Sequence, residues 1–165
     1  MITIRRKWWI ILISLAVLCG GIGIGYNQYH KMVASSQALS WRLNWGFDTP
    51  PAEKVKSVFY NGGRDPDYYY ISDYDEEAVQ QLEQLHIWNK VGDNSDGIHA
   101  LINGYKEQIQ QLYQGHVRYG KLFNKYPVEF NQDSLYFTRK QEDGSYIVAV
   151  LNVDQRRLYT LEIFF

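Results

Sequence analysis

Read for its apolar and polar positions, the chain divides into unlike stretches. From Trp8 to Tyr26 run 19 residues without a charge, WWIILISLAVLCGGIGIGY. As a helix rising ~1.5 Å per residue, this run comes close to the ~30 Å hydrocarbon thickness of a bilayer. Trp8 and Trp9 stand at one end and Tyr26 at the other, where amphipathic rings favour the membrane–water boundary. The pattern predicts an N-terminal transmembrane anchor over 8–26, preceded by a basic tail over 1–7. A cleaved signal peptide shares the basic start and apolar middle. The run is long for one, however, and no Ala-x-Ala site follows it. Lipid attachment at Cys19 fits poorly, because the bulky Leu18 precedes it.

Residues 27–50 predict a membrane-proximal helix or stalk, with Leu39, Leu43 and Phe47 at turn spacing, stopped by Thr49-Pro50-Pro51. Beyond it the periodicity changes. Lys54–Tyr60 and Tyr68–Ser72 read as strands joined through Asn61-Gly62-Gly63. Asp73 with Glu76 three places on suggests a capping box. The helix it starts buries Val79, Leu82 and Leu85 and ends around Asn89–Gly92. A second helix, capped by Ser95 or Asp96, carries the clearest apolar stripe: Ile98, Leu101, Ile102, Tyr105, Ile109, Leu112 and Tyr113. Gly115 or Gly120 is its expected end. Three β-rich runs follow, 135–141, 146–153 and 158–165, the first two joined through Asp143-Gly144. YIVAVLNV is apolar on both faces and belongs in a covered or central strand. In the last run, Thr160 and Glu162 fall on the polar side, opposite Tyr159, Leu161, Ile163 and Phe165. The predicted order after the anchor is β-β-α-α-β-β-β, an α+β domain over 51–165 with an antiparallel sheet and two packed helices.

Charge then fixes orientation. Arg5, Arg6, Lys7 and Lys31 are the only charges in the first 35 residues, whereas residues 36–165 hold 13 basic side chains and all 18 acids. Positive-inside asymmetry places the N-terminus in the cytoplasm and the C-terminal domain outside the cell membrane. An acidic domain lacks the basic surface that releases counterions from a phosphate backbone, so nucleic acid is not an expected partner. Ala16, Gly20, Gly21 and Gly25 give the anchor a small-residue face, and Gly21-x-x-x-Gly25 has the spacing for close helix–helix contact.

Candidate chemistry is sparse. The only cysteine, Cys19, sits in the anchor, so the domain has no disulfide and no thiol nucleophile. His30 lies next to the membrane, and His99 falls off its helix stripe. His86 borders an apolar stripe and His116 continues another, but neither has paired-histidine or His-Glu-x-x-His spacing. Gly-x-Ser-x-Gly, Ser-x-x-Lys and a Gly-rich phosphate loop are absent. The acids Asp65, Asp67, Asp73, Asp75, Glu76 and Glu77 suit calcium as oxygen donors, yet capping accounts for Asp73 and Glu76 without an ion. No catalytic, cofactor-binding or metal-binding residues are assigned. The segment most suggestive of recognition is RDPDYYYISDY, with Arg64, Tyr68, Tyr69, Tyr70 and Tyr74. The expectation is a non-catalytic, single-pass, membrane-anchored binding module of a bacterial cell envelope, whose partner is another envelope protein, an extracellular ligand or a second copy. One alternative is an envelope hydrolase or glycan-active enzyme using unplaced carboxylates or His86 and His116. Another is a structural homo-oligomer joined through the anchor glycines.

Overall fold

The computed structural model describes residues 28–29, 31–63, 66–113 and 118–165. The expected anchor and its flanks (Arg5, Arg6, Lys7, Trp8, Trp9, Ala16, Gly20, Gly21, Gly25, Tyr26) lie outside the described residues, as do His30, Arg64 and His116. Among the described residues no helix is long and apolar enough to cross a membrane.

The chain is α+β. Helix α1 covers residues 31–45 and leads into strands β1 (Lys54–Tyr60) and β2 (Tyr68–Asp73). Helix α2 (Glu76–Glu83), the two-residue strand β3 (Asn89–Lys90), α3 (Ser95–Leu112) and α4 (Arg118–Lys125) follow. Strands β4 (Leu135–Lys140), β5 (Tyr146–Asn152) and β6 (Arg157–Ile163) close the fold. All pairings are antiparallel, in the order β1-β2-β6-β5-β4-β3. The expected hairpin and three-stranded meander are both present, joined where β2 pairs with β6. At the β4–β5 turn Gly144 has φ +97°, a left-handed conformation that glycine adopts without strain, and Ser145 N–H donates to Asp143 Oδ1 at 2.8 Å.

Both faces of the sheet are covered. Alternate side chains of the central strands go to opposite sides. Ile147, Ala149, Leu151 and Leu158 pack with α1 and α2. Val148, Val150, Tyr159, Leu161 and Ile163 pack with α3 and α4. Double coverage explains why β5 is apolar on both sides. A register shift between Ser57 and Phe59 inserts an extra residue in β1, so Val58 and Phe59 are buried in succession. Lys54 and Lys56 leave β1 with a charged edge that discourages strand addition.

Several local expectations are corrected. The cap of α2 is Asp75, which accepts from Ala78 N–H at 2.8 Å, while Asp73 is drawn away to Arg157 at 2.7 Å. Helix α2 ends at Glu83, and Asn89 and Lys90 pair with β4 instead of extending it. Asn94 occupies the cap position of α3, without a side-chain capping bond. Its buried stripe is Ile98, Ile102, Tyr105 and Ile109, whereas Leu101 and Leu112 are exposed. Gly120 does not end α3 but sits inside α4, an additional helix.

The largest correction concerns α1. Leu39 and Leu43 do not form its buried rank: they are 54% and 73% exposed. Ala34, Gln37, Trp41 and Trp45 face inward instead, at three- and four-residue steps. The helix stops before the prolines, at Gly46 (φ +73°), whose N–H donates back to Trp41 O at 3.0 Å. Arg139 donates to the carbonyl of Trp45, and Gln141 Nε2 to that of Asn44 at 2.6 Å. These two β4-side donors satisfy carbonyls at the negative end of the helix and pin it to the sheet.

Candidate functional site

The inward face of α1 meets the least apolar part of the sheet. On β2 and β6 the side chains aimed at α1 include Tyr70, Ser72, Thr160 and Glu162. The last three are buried. Glu162, placed by alternation on a polar outer face, is only 2% exposed because α1 lies over it. Trp41 Nε1 donates to Glu162 Oε1 at 2.9 Å, and Trp45 Nε1 to Oε2 at 2.7 Å. The i, i+4 spacing on one helix face brings both indoles to one carboxylate. Burial pushes the Glu162 carboxyl up to about 7, and the two indole hydrogen bonds offset only part of that rise.

Beside this carboxylate a cleft of about 250 Å³ opens between the first turns of α1 and the β2–β6 strands. Met32, Val33, Ser36, Gln37, Ser40 and Trp41 line it from the helix, and Tyr68, Tyr70 and Glu162 from the sheet. Tyr60, Tyr68 and Tyr70 stack in a ladder, with ring centroids 5.4 and 5.2 Å apart. Gln37 Oε1 accepts from Ser72 Oγ at 3.2 Å, while its buried Nε2 has no partner. Glu162 is the only acidic group among the described residues that line it.

The tyrosine-rich segment singled out by composition is divided by strand alternation. Tyr68 and Tyr70 line the cleft. Tyr69 points to the other face, where its hydroxyl donates to Tyr126 O at 2.9 Å, and Tyr74 is buried in the core under α1 and α2. His86 is exposed after α2, and His99 is exposed with its ring 4.7 Å from that of Phe130. The acids nearby have local work. Asp67 accepts from Tyr113 Oη at 2.7 Å and from Phe164 N–H at 3.2 Å, tying the hairpin tip to α3 and to the end of the sheet. Burial raises its carboxyl, with these two bonds acting against the rise. Among the described residues no group of three or more His, Cys, Asp or Glu side chains is placed to hold a metal.

Two other concavities lack a buried charge. A wider groove of about 550 Å³ runs between α3 and β4–β5, beside Ala100, Leu101, Gly104, Thr138 and Tyr146. A hollow of about 420 Å³ near the β1 edge carries Lys54, Lys56, Asp73, Tyr126 and Arg157. In the second, Asp73 already pairs with Arg157.

Sequence reasoning missed Glu162, Gln37, Trp41 and Trp45. The legible signal was the pair of tryptophans four residues apart in a helix otherwise read from its leucines. No protein-family model, curated protein or solved structure matches the chain.

Proposed function

We propose that the chain is a membrane-tethered, extracytoplasmic binding module that seats a ligand in the cleft between α1 and β2–β6. The observation that carries this proposal is the buried carboxylate of Glu162, set at a cleft and hydrogen-bonded, among the described residues, only by two neutral indole donors. A buried carboxyl without a counter-charge is costly to ionise, so its presence beside an opening favours recognition over packing. The apolar run 8–26 serves as an uncleaved single-pass anchor in the cell membrane, its basic tail cytoplasmic, and α1 follows it within a few residues. Binding is favoured over two-carboxylate hydrolysis because such chemistry needs a second acid at about 5 to 9.5 Å, and among the described residues no second acid lines the cleft.

Protease treatment of intact cells and of permeabilised cells tests the topology. The C-terminal domain is expected to be digested from outside while the N-terminal segment stays with the membrane; protection until permeabilisation would overturn it. Ser36, exposed at the cleft mouth, offers the second arm. Thermal unfolding of the full chain is expected to shift with a ligand of some chemical class, and Ser36→Trp, which fills the mouth, is expected to abolish the shift. An identical shift in Ser36→Trp would move the binding site elsewhere.

A further inference from the structure

We infer that the cleft selects an organic cation, an ammonium or guanidinium group carried by a small molecule or by a Lys or Arg side chain. The inference rests on the cleft being a ligand site and adds the charge and size of what enters.

Three observations converge on it. Among the described residues no Lys, Arg or His lies within ion-pair distance of Glu162; the ion pairs are Arg42–Asp48, Lys90–Asp133 and Arg157–Asp73. Two indole N–H groups leave about half of the carboxylate's acceptor positions unused. A cation arriving from the cleft supplies the missing counter-charge without requiring any rearrangement of the tryptophans. The walls are also suited to it. Tyr68, Tyr70 and Trp41 contribute aromatic rings, whose negative faces attract cations. At about 250 Å³ the space is smaller than the ~300 Å³ at which drug-sized pockets begin, so it takes one compact group, not an extended ligand.

Gln37 adds a second contact. Turned either way, its amide meets Ser72 with one end and leaves the other end buried and unpaired. A ligand whose cation sits beside a polar group satisfies both Glu162 and Gln37.

Cation binding requires the ionised carboxylate, so affinity depends on pH. Among the described residues the titratable groups that feel Glu162 are Tyr105, buried on the far side of the sheet and held well above neutrality, and, lining the cleft, Tyr68 and Tyr70 from β2. Burial raises both phenols further above neutrality, so they stay uncharged and Glu162 alone sets the profile.

Indole fluorescence of the full chain in detergent micelles reports on the site through Trp41 and Trp45, which bond the carboxylate, over a constant background from Trp8, Trp9 and Trp88. The probes are n-butylammonium against n-butanol, and the end-blocked peptide N-acetyl-Gly-Lys-Gly-amide against N-acetyl-Gly-Gln-Gly-amide. A saturable change is expected with the cations and not with their neutral partners. The better of butylammonium and the peptide distinguishes a free amine from a side chain on a partner. Affinity is expected to fall by about tenfold for each pH unit below about 7 and to level off above it, and to fall at least about tenfold in Glu162→Gln. If Glu162→Gln does not fold, the wild-type pH profile decides. Equal binding of butanol and butylammonium, both lost in Ser36→Trp, would overturn the cation assignment and leave the binding module standing. A cation response that ignores pH and persists in Ser36→Trp would overturn the assignment as well. No response to any probe would overturn the cation assignment and leave the binding module to the thermal-shift test with Ser36→Trp.

Discussion

The sheet turns one face to α3 and α4 and the other to α1 and α2, and the two are finished differently. On the α3–α4 side, Ile98, Ile102, Tyr105, Ile109 and Phe123 meet Val148, Val150, Leu161 and Ile163 in a continuous apolar layer. Its buried hydroxyls are satisfied: Tyr105 donates to Tyr68 O at 2.8 Å and Tyr69 to Tyr126 O. The α1 side starts as apolar, around Leu82, Phe137, Ala149 and Leu151, but becomes polar towards β2 and β6. Thr160 Oγ1 and Gln37 Nε2 are buried there without partners. Folding alone favours the first arrangement, since a buried unsatisfied polar group costs about 1 to 3 kcal/mol. The contrast teaches that one face is finished as an apolar layer with its hydroxyls paired, while the other buries polar groups under α1 at a cost to stability.

The largest expected effect breaks the apolar face. Ile98→Ala removes a fully buried side chain and should lower stability by about 2 to 5 kcal/mol in urea unfolding. Ser36→Trp on the opposite side should leave stability within about 0.5 kcal/mol, since that position is exposed.

The next effect appears only on the α1 side. Glu162 titrates near 7 when folded and near 4.5 when unfolded, so the folded chain holds a proton that the unfolded chain has released across that interval. Its contribution favours folding below about pH 4.5 and is lost as pH rises through about 7, amounting to about 3 kcal/mol at most. Thermal melts in Glu162→Gln should lack this slope, whereas Tyr105→Phe on the other face should keep it. Trp45→Phe takes one donor from the carboxylate and should lower stability by about 1 to 3 kcal/mol, moving the titration of Glu162 further up. An unchanged midpoint would mean that the indole bond is dispensable.

Helix ends give the smallest effects. Asp75→Ala should cost about 1 kcal/mol by uncapping α2. Asn94→Ala should cost only about a few tenths, because α3 draws its stability from its apolar stripe and its cap residue makes no capping bond. Equal losses in chemical denaturation would contradict that division.

Much of the fold was legible. The Asp143-Gly144 turn between β-rich runs, the Asn61-Gly62-Gly63 turn and the stripe through Ile98, Ile102, Tyr105 and Ile109 each state a local geometry. Helix α1 was harder because it has apolar residues on two faces. Leu39 and Leu43 satisfy turn spacing as well as Trp41 and Trp45 do, and periodicity cannot say which pair meets the sheet. Strand β3 is too short to leave a pattern. The candidate site was the least legible part: Tyr68 and Tyr70 stood out, but so did Tyr69, which alternation sends to the other face.

By itself the sequence determined the elements that depend on near neighbours: the long uncharged N-terminal run, the hairpin, the meander, the amphipathic α3 and the α+β class. Tertiary structure decided which face of α1 is inside, and with it the state of Glu162. A glutamate alternating with apolar residues reads as solvent-facing, and only a helix more than a hundred residues away in the chain removes the water from it. Desolvation acts through space, so no local pattern records it, and the carboxylate at the cleft could be recognised only after α1 had closed over β6.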